Sequence, residues 1–351
     1  MKVLFVTDTM HPGGSERVIS VLANQFCEKG IDTGIVCFRG VDSFYQIDKR
    51  ISAHYAEVET NKASILSRGK WLRAFCQQEK PDVVIPFMTA VYCLTIFSLL
   101  GTHIPIIASE RIDPTTTPWK RKILRWLLLR FTTHLVVQTE AIKLYYSEDL
   151  QKRCTVIYNP VDNTFFDLPV VDRKKRFISV GRLSAQKNQK LLIDAFSSFL
   201  LDYPEFTLSI YGEGELEEEL TKYILSKGLN GKVVLEGTSN NLAEELNRSY
   251  AFCLSSDFEG MSNAVLEAIC VGIPVITTNV SGIREIITEQ KNGLVVPIRD
   301  CAAFKDAMML LASDTALADR MRKENKEKGR AMFRTDSVVS KWLHVIDKVV
   351  K

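Results

Sequence analysis

Ala251-Phe252-Cys253-Leu254-Ser255-Ser256-Asp257-Phe258-Glu259-Gly260-Met261-Ser262-Asn263-Ala264-Val265-Leu266-Glu267-Ala268-Ile269-Cys270 is the stretch that decides the fold. Its first four residues are an uninterrupted apolar run, the pattern of a short parallel strand buried on both faces. Asp257 to Ser262 then gathers turn formers, so the strand ends in a loop. Ser262 or Asn263 can cap a helix that runs to Cys270 and stops before Gly272 and Pro274. Glu259 falls on the loop and Glu267 in the second helical turn. A helix N-terminus at the carboxyl end of a parallel strand offers unpaired N–H groups and a positive dipole end, which suits a phosphate. A carboxylate in the second turn is placed for ribose hydroxyls, and one on the loop for a hexose. The alternative is that both acids solvate a surface, as most Glu do.

The same strand-helix alternation extends in both directions. Val3-Leu4-Phe5-Val6 is a strand, Gly13-Gly14-Ser15-Glu16 a turn, and Arg17 to Cys27 a helix with Val18, Val21, Leu22 and Phe26 on one face. Ile35 to Phe38, Val83 to Ile85, Ile104 to Ala108 and His134 to Val137 continue the first series. After Pro160-Val161-Asp162-Asn163 and the polar run Asp172 to Arg176, a second series begins at Phe177 to Val180. It continues through Phe206 to Tyr211, Lys232 to Leu235, Ala251 to Leu254, Pro274 to Thr277 and Leu294 to Val296. The reading is α/β: two doubly wound, Rossmann-like domains facing one another, residues 1–170 and 171–330. Residues 331–351 form a last helix whose Val338, Val339, Trp342, Leu343, Ile346 and Val349 share a face and pack back on the first domain.

With 351 residues the chain has length for two cores, and a net charge of +3 is too small to indicate nucleic acid. The charge is uneven: residues 1–165 hold 20 Lys and Arg against 16 Asp and Glu, leaving 25 against 26 for the rest. Eight cysteines include no Cys-x-x-Cys pair and fall mostly in apolar runs, as small buried hydrophobes of a reducing cytoplasm do. The N-terminal MKVLFVTDTM reads as a first strand rather than a signal peptide, and no segment approaches 18 uninterrupted apolar residues.

Gly181-Arg182 directly follows the first strand of the second series, and Lys187-Asn188 comes just before its helix. A planar guanidinium and a mobile ammonium at one strand end can hold a diphosphate and stabilise charge on a leaving phosphate; the alternative is two solvated loop cations. Gly13-Gly14 is open in the same way, between a backbone approach to an anion and an ordinary turn.

Together these elements resemble the GT-B glycosyltransferases, and among them the retaining family 4 that builds bacterial polysaccharides and lipid-linked glycans. The resemblance spans nearly the whole chain. It rests on Gly13-Gly14-Ser15-Glu16, Ser109-Glu110-Arg111, Gly181-Arg182-Leu183 with Lys187-Asn188, Tyr211-Gly212-Glu213-Gly214, and the Glu259-to-Glu267 pair. It implies that Glu267 binds the nucleotide ribose and Glu259 the donor sugar. Arg182, Lys187 and the backbone amides of Asn263 and Ala264 then hold the diphosphate. Gly14, with Gly13, closes over the phosphates from the opposite domain, and nucleobase contacts fall near Gly237 and Thr238. Transfer proceeds with retention, aided by the departing phosphate, with no metal and no cofactor. Where relatives often carry His in Ser-Glu-His, this chain has Arg111, a guanidinium that cannot be a general base and binds substrate oxygens or pairs with Glu110 or Asp113.

Thr117 can cap a helix with Pro118 at its first position, and Trp119, Ile123, Trp126, Leu127 and Phe131 form a broad apolar face beside Lys120, Arg121, Lys122 and Arg125. Two Trp beside cations suit a membrane boundary; the alternative is a buried helix with a solvated edge. Lys62, Arg68, Lys70 and Arg73 around Trp71 form a second basic cluster, and in relatives that extend polyprenyl-diphosphate-linked glycans a basic helix faces the lipid diphosphate.

The reading is therefore a cytoplasmic hexosyltransferase peripheral at the inner membrane face, using a UDP-linked donor and a lipid-linked glycan acceptor. A GT-B sugar-nucleotide epimerase and a non-catalytic sugar-nucleotide-binding protein are the alternatives. An NAD-dependent oxidoreductase is disfavoured, because no Gly-x-Gly-x-x-Gly follows a strand and Gly212-Glu213-Gly214 runs into Glu215, Glu217, Glu218 and Glu219.

Overall fold

A computed structural model describes residues 1–11, 13–60 and 64–350, with Thr60, Thr116 and Lys120 known by backbone alone. By contacts the chain divides into Met1–Pro160 with Thr335–Lys351, and Val161–Arg334. The helices that position the site are α1 (Gly14–Glu28), α2 (Ile65–Glu79), α3 (Thr89–Leu99), α4 (Trp119–Leu128), α5 (Gln189–Phe199), α6 (Asn263–Val271) and α7 (Thr335–Val350).

In the first unit, β1 (Lys2–Thr7), β2 (Asp32–Cys37), β3 (Ser52–Tyr55) and β4 (Val83–Pro86) form a parallel sheet in the order β3-β2-β1-β4. Next to it, β5 (Ile107–Ser109), β6 (His134–Val137) and β7 (Cys154–Val156) form a second parallel sheet in chain order. Bridges from Val84 to Ile106 and from Phe87 to Ser109 run β4 alongside β5. The strand order reverses between β1 and β4, and in such sheets ligands bind beyond the carboxyl ends at that reversal. On α1 the inner face is Val18, Ile19, Leu22, Ala23 and Phe26. Val21, expected there, is only half-buried.

The last helix, α7, belongs to this first unit. Val338, Val339, Trp342 and Ile346 are fully buried with Phe5 and Phe87, and the Trp342 ring stacks on Phe87 at 5.9 Å between centroids. Each such side chain contributes roughly 1.5–3 kcal/mol of hydrophobic stabilisation, which is what returns the chain terminus to the N-terminal core.

The second unit holds β8 (Arg176–Val180), β9 (Thr207–Tyr211), β10 (Val233–Gly237), β11 (Ala251–Leu254), β12 (Val275–Thr278) and β13 (Gly293–Val296), all parallel in the order β10-β9-β8-β11-β12-β13. Its reversal lies between β8 and β11. Residues 161–170 join this unit rather than the first. Phe165 and Phe166 are buried, Asn247 donates to the Pro169 carbonyl at 2.9 Å, and Arg330 pairs with Asp167. All eight cysteines are free and seven are buried, as the apolar runs around them require.

His134 on β6 is 4% exposed and its Nε2 lies 2.9 Å from the Thr155 hydroxyl. Burial first, then Lys348 and Arg153, pushes its pKa down to about 4. The unfolded chain protonates this ring near pH 6.5, so it binds more protons than the folded chain between there and about 4. Stability therefore falls as pH drops through that window, by up to roughly 3 kcal/mol at about 1.4 kcal/mol per unit. Urea unfolding between pH 7 and 5 is expected to show this loss for the native chain and a flatter profile for His134→Gln; equal slopes would remove His134 as the cause.

Candidate active site

At the reversal in the second unit, β8 delivers Gly181 and Arg182 beside the loop that leaves β11 and enters α6. Both acids of that stretch are buried, Glu259 at 8% and Glu267 at 3% exposed, so neither solvates a surface. The Glu259 carboxylate accepts from Lys187 Nζ at 2.5 Å, Ser256 Oγ at 2.7 Å and Gln186 Nε2 at 3.4 Å.

Two loops are tied together to make this contact. The Asp257 amide donates to the Gln186 carbonyl at 2.9 Å and the Ser255 hydroxyl to the Lys187 carbonyl at 2.8 Å. Asn188, in the left-handed region at φ 46°, turns its amide to Asp257 Oδ1 at 3.0 Å and opens α5. Arg299 takes the other Asp257 oxygen at 2.6 Å and holds that carboxyl below its usual range. Asp257 is thus a brace between loops.

Glycine geometry brings the second cation into place. A Cβ at Gly212, whose φ is +130°, would sit 2.1 Å from the Gly181 carbonyl, and one at Gly214 2.3 Å from that of Leu183. Only glycines let the exit of β9 lie against Gly181-Arg182-Leu183, where the Gly181 and Leu183 amides donate to Tyr211 and Glu213. Arg182 is exposed, and its side chain makes no hydrogen bond or ion pair among the described residues.

Ser262 stands at the N-cap of α6, yet its hydroxyl makes no cap hydrogen bond and is buried without a partner. This corrects the expectation of a side-chain cap. An orphaned hydroxyl beside the first N–H groups of a helix is a donor set that an anion completes. Thr238 is exposed just past β10, whose Gly237 carbonyl accepts from the Gly212 amide.

In the first unit, Gly13 caps α1 in extended backbone, its amide and carbonyl both on the Tyr45 hydroxyl. The Glu16 carboxylate folds over Gly13, so the approach expected of Gly13-Gly14 is taken by protein groups. Glu16 also lines a cavity of about 830 Å³ beyond β1 and β4, with Asp8, Arg39, Met88, Phe97 and Leu124.

Beyond β5, Glu110 is fully buried and accepts from Tyr92 at 2.7 Å, Thr89 at 3.0 Å and Tyr146 at 3.3 Å, with Arg125 at 3.7 Å. Burial first and the Glu110 charge next hold the Tyr92 and Tyr146 phenols well above their ordinary pKa, so both stay donors. Arg111 pairs through its side chain with neither Glu110 nor Asp113. Its guanidinium donates to Ser109 Oγ at 2.8 Å and Asn159 Oδ1 at 2.6 Å and lies 4.4 Å from the Phe87 ring centroid. Burial lowers its pKa to about 9, and it remains cationic at neutral pH.

A model of the family described as Glycosyl transferases group 1 matches residues 160–328, and one described as Glycosyltransferase Family 4 matches residues 12–165. The chain is a GT-B glycosyltransferase of the family 4 type. This glycosyltransferase is 27% identical, over 99% of each chain, to the Campylobacter jejuni enzyme named GalNAc-α-(1→4)-GalNAc-α-(1→3)-diNAcBac-PP-undecaprenol α-1,4-N-acetyl-D-galactosaminyltransferase. It is 23% identical to the lipopolysaccharide core biosynthesis glycosyltransferase LpsE of Rhizobium meliloti, over 95% of this chain and 96% of that one. Among solved structures, Anabaena HepE in complex with UDP superposes with a TM-score of 0.85 at 16% identity, covering 99% of this chain and 100% of that one. TarM superposes at 0.82 with 14% identity over 98% of each.

Several basic residues of the glycosyltransferase sit elsewhere than their sequence suggests. Arg125 is 2% exposed and points inward to Glu110, Tyr145 and the Pro114 carbonyl, so it is no surface cation. Arg68 pairs with Glu57 at 2.9 Å, and Arg73 caps the carbonyls of Ser98 and Leu100 at 2.9 and 2.8 Å. Both are held by their own unit, and among the described residues of that basic cluster Lys70 alone is exposed; Lys62 lies outside the described residues. Trp119 and Trp126 are 66% and 55% exposed, Arg121 is exposed, and Lys122 reaches the Thr115 carbonyl at 2.9 Å. Sequence reasoning missed Gln186, Ser256 and Asn159 as supports. Ser256 was legible as a small polar residue three before Glu259, whereas nothing local marks Asn159.

Among the described residues no helix is long and apolar enough to cross a membrane.

Proposed function

We propose that this glycosyltransferase moves a hexose or N-acetylhexosamine, with retention and without a metal ion, from a UDP-sugar to a lipid-linked glycan at the inner face of a membrane. The observation that carries the reading is the buried set at the reversal of the second sheet: Glu259 fixed on Lys187, Glu267 one helix turn in, and the orphaned Ser262 hydroxyl at the head of α6. HepE structures with UDP and with UDP-glucose support a uridine donor, and the undecaprenol in the Campylobacter enzyme's name supports a lipid-linked acceptor.

In this reading Glu267 accepts from the ribose hydroxyls and Glu259 from the donor sugar, with Thr238 near the base. Arg182, Lys187, Ser262 and the amides of Asn263 and Ala264 take the diphosphate. Arg111, charged and buried, is no base; it holds the end of β5 against Asn159 and α7. Charge grows on the departing diphosphate as the glycosidic bond breaks, so cations preset there lower the barrier more than they tighten the ground state.

A panel of UDP- and GDP-sugars tests this by thermal shift, since a ligand at about 100 times its dissociation constant stabilises by about 2.7 kcal/mol. Glu267→Ala is expected to weaken the stabilising UDP-sugar by about tenfold to a hundredfold, the loss of hydrogen bonds to a charged acceptor. Sugar conversion without acceptor would indicate an epimerase, and binding without hydrolysis or transfer a non-catalytic binder. Full turnover in EDTA is expected; a loss restored by Mg²⁺ would overturn the metal-free mechanism.

A further inference from the structure

The α4 helix is turned inside out. Its inward residues are Arg125 and Leu128, while Trp119, Ile123, Trp126, Leu127 and, just beyond, Phe131 are 66, 51, 55, 45 and 62% exposed. These apolar residues recur at helical spacing and form one stripe. The alternative of a buried helix with a solvated cationic edge is therefore not what the fold shows.

On another face of α4 lies a pocket of about 660 Å³ whose walls include Lys122, Arg125, Trp126, Arg130, Tyr145 and Arg153. Asp149 is its one lining acid, 93% exposed at the side chain and paired with Lys152. Arg130 stacks over the Trp126 ring at 3.7 Å from its centroid, its guanidinium making no hydrogen bond or ion pair among the described residues. Arg153 donates to the carbonyls of Leu129, Arg130 and Thr132. Those carbonyls close the end of α4 and would otherwise repel an anion. The pocket is thus cationic, with donors left over, and it adjoins exposed indole and phenyl rings.

We propose that this pocket takes the phosphate of an anionic membrane phospholipid while the stripe from Trp119 to Phe131 lies in the lipid boundary beside it. The proposal rests on the reading that the enzyme works at a membrane, and adds the site and the headgroup chemistry. A free aqueous phosphate gives no reason for large apolar side chains around the pocket to stand in water. A second copy docked on this face by two-fold symmetry would bring like cations together. A bilayer surface bearing anionic phosphates satisfies both halves of the patch.

The full chain is mixed with vesicles of phosphatidylcholine alone or with phosphatidylglycerol added, at low salt, and bound protein is read by co-sedimentation. Quenching by brominated lipid in a Trp71→Phe, Trp119→Phe background, which leaves Trp126 and the fully buried Trp342, reads insertion. Binding and quenching are expected only with phosphatidylglycerol, and Arg130→Glu is expected to weaken binding by about tenfold. Lys323→Glu, an equal charge change on an exposed residue of the second unit, is expected to change it by less than about twofold. Equal losses in both variants would reduce the effect to diffuse charge and overturn the pocket. Release by millimolar inorganic phosphate at constant ionic strength would make it a soluble-anion site and overturn the lipid assignment. UDP thermal shift on the same samples reports the donor site independently, so a failed donor reading and a failed pocket give different results.

Discussion

Lys187→Ala lowers donor turnover by about 10²–10³-fold while changing donor affinity by about tenfold or less, the pattern of a lost donor to charge that develops in the transition state. The expectation comes from where the ammonium is held. Lys187 Nζ sits 2.5 Å from a buried carboxylate, with side-chain exposures of 18% and 9%, on a loop clamped by Asn188, Asp257 and Ser255. Its position is fixed before a donor arrives, and that preorganisation is what makes a cation catalytic rather than merely attractive. The same contact couples Glu259 to the chemistry. Glu259→Ala removes the sugar contact and unfixes Lys187, so it chiefly slows turnover, and the double variant is expected to be little worse than Lys187→Ala because the two act as a unit. Slow hydrolysis of the UDP-sugar without acceptor is a sufficient readout, since leaving-group departure is common to hydrolysis and transfer. Full additivity, or losses confined to affinity in Lys187→Ala and Glu259→Ala alike, would sink this division of roles.

Most of the fold was legible because buried parallel strands are continuous apolar runs. β6 and β11 fall on the four residues read as strands, and the other apolar runs mark their strands to within a few residues. The two strands missed explain themselves. β3, Ser-Ala-His-Tyr, is an edge strand half in water and has no apolar run; β7 is three residues long. The domain boundary was drawn between residues 170 and 171, but Phe165 and Phe166 are already buried residues of the second unit.

Site legibility followed the same physics. The motifs around Glu259, Lys187 and the glycines were visible because backbone constraint and charge are written in residue type. Gly212 and Gly214 show why: no side chain fits where they pass Gly181 and Leu183. Long cations were the failure. An Arg in a helix has the same letter whether it faces lipid, water or a buried acid, and periodicity put Arg125 beside the apolar face instead of under it. The clue was Glu110, a charged residue following the buried strand β5, which needs a cation or several hydroxyls wherever it ends up.

Arg125→Ala should destabilise the first unit by about 3–5 kcal/mol, because it breaks a buried ion pair and leaves Glu110 without its cation. A surface cation of α4 would cost about 0.5 kcal/mol or less, so the measurement separates the two placements of Arg125 cleanly. The hydroxyls of Thr89, Tyr92 and Tyr146 remain on Glu110 and draw the cost toward the lower end. Urea unfolding followed by tryptophan emission is expected to show this loss as a lowered midpoint with an unchanged slope. Glu110→Gln combined with Arg125→Met should recover much of the loss, since replacing both members of a buried pair spares the unpaired charge. A small loss unrescued by the double variant would place Arg125 on the surface after all, and with it the inside-out reading of α4 would fall.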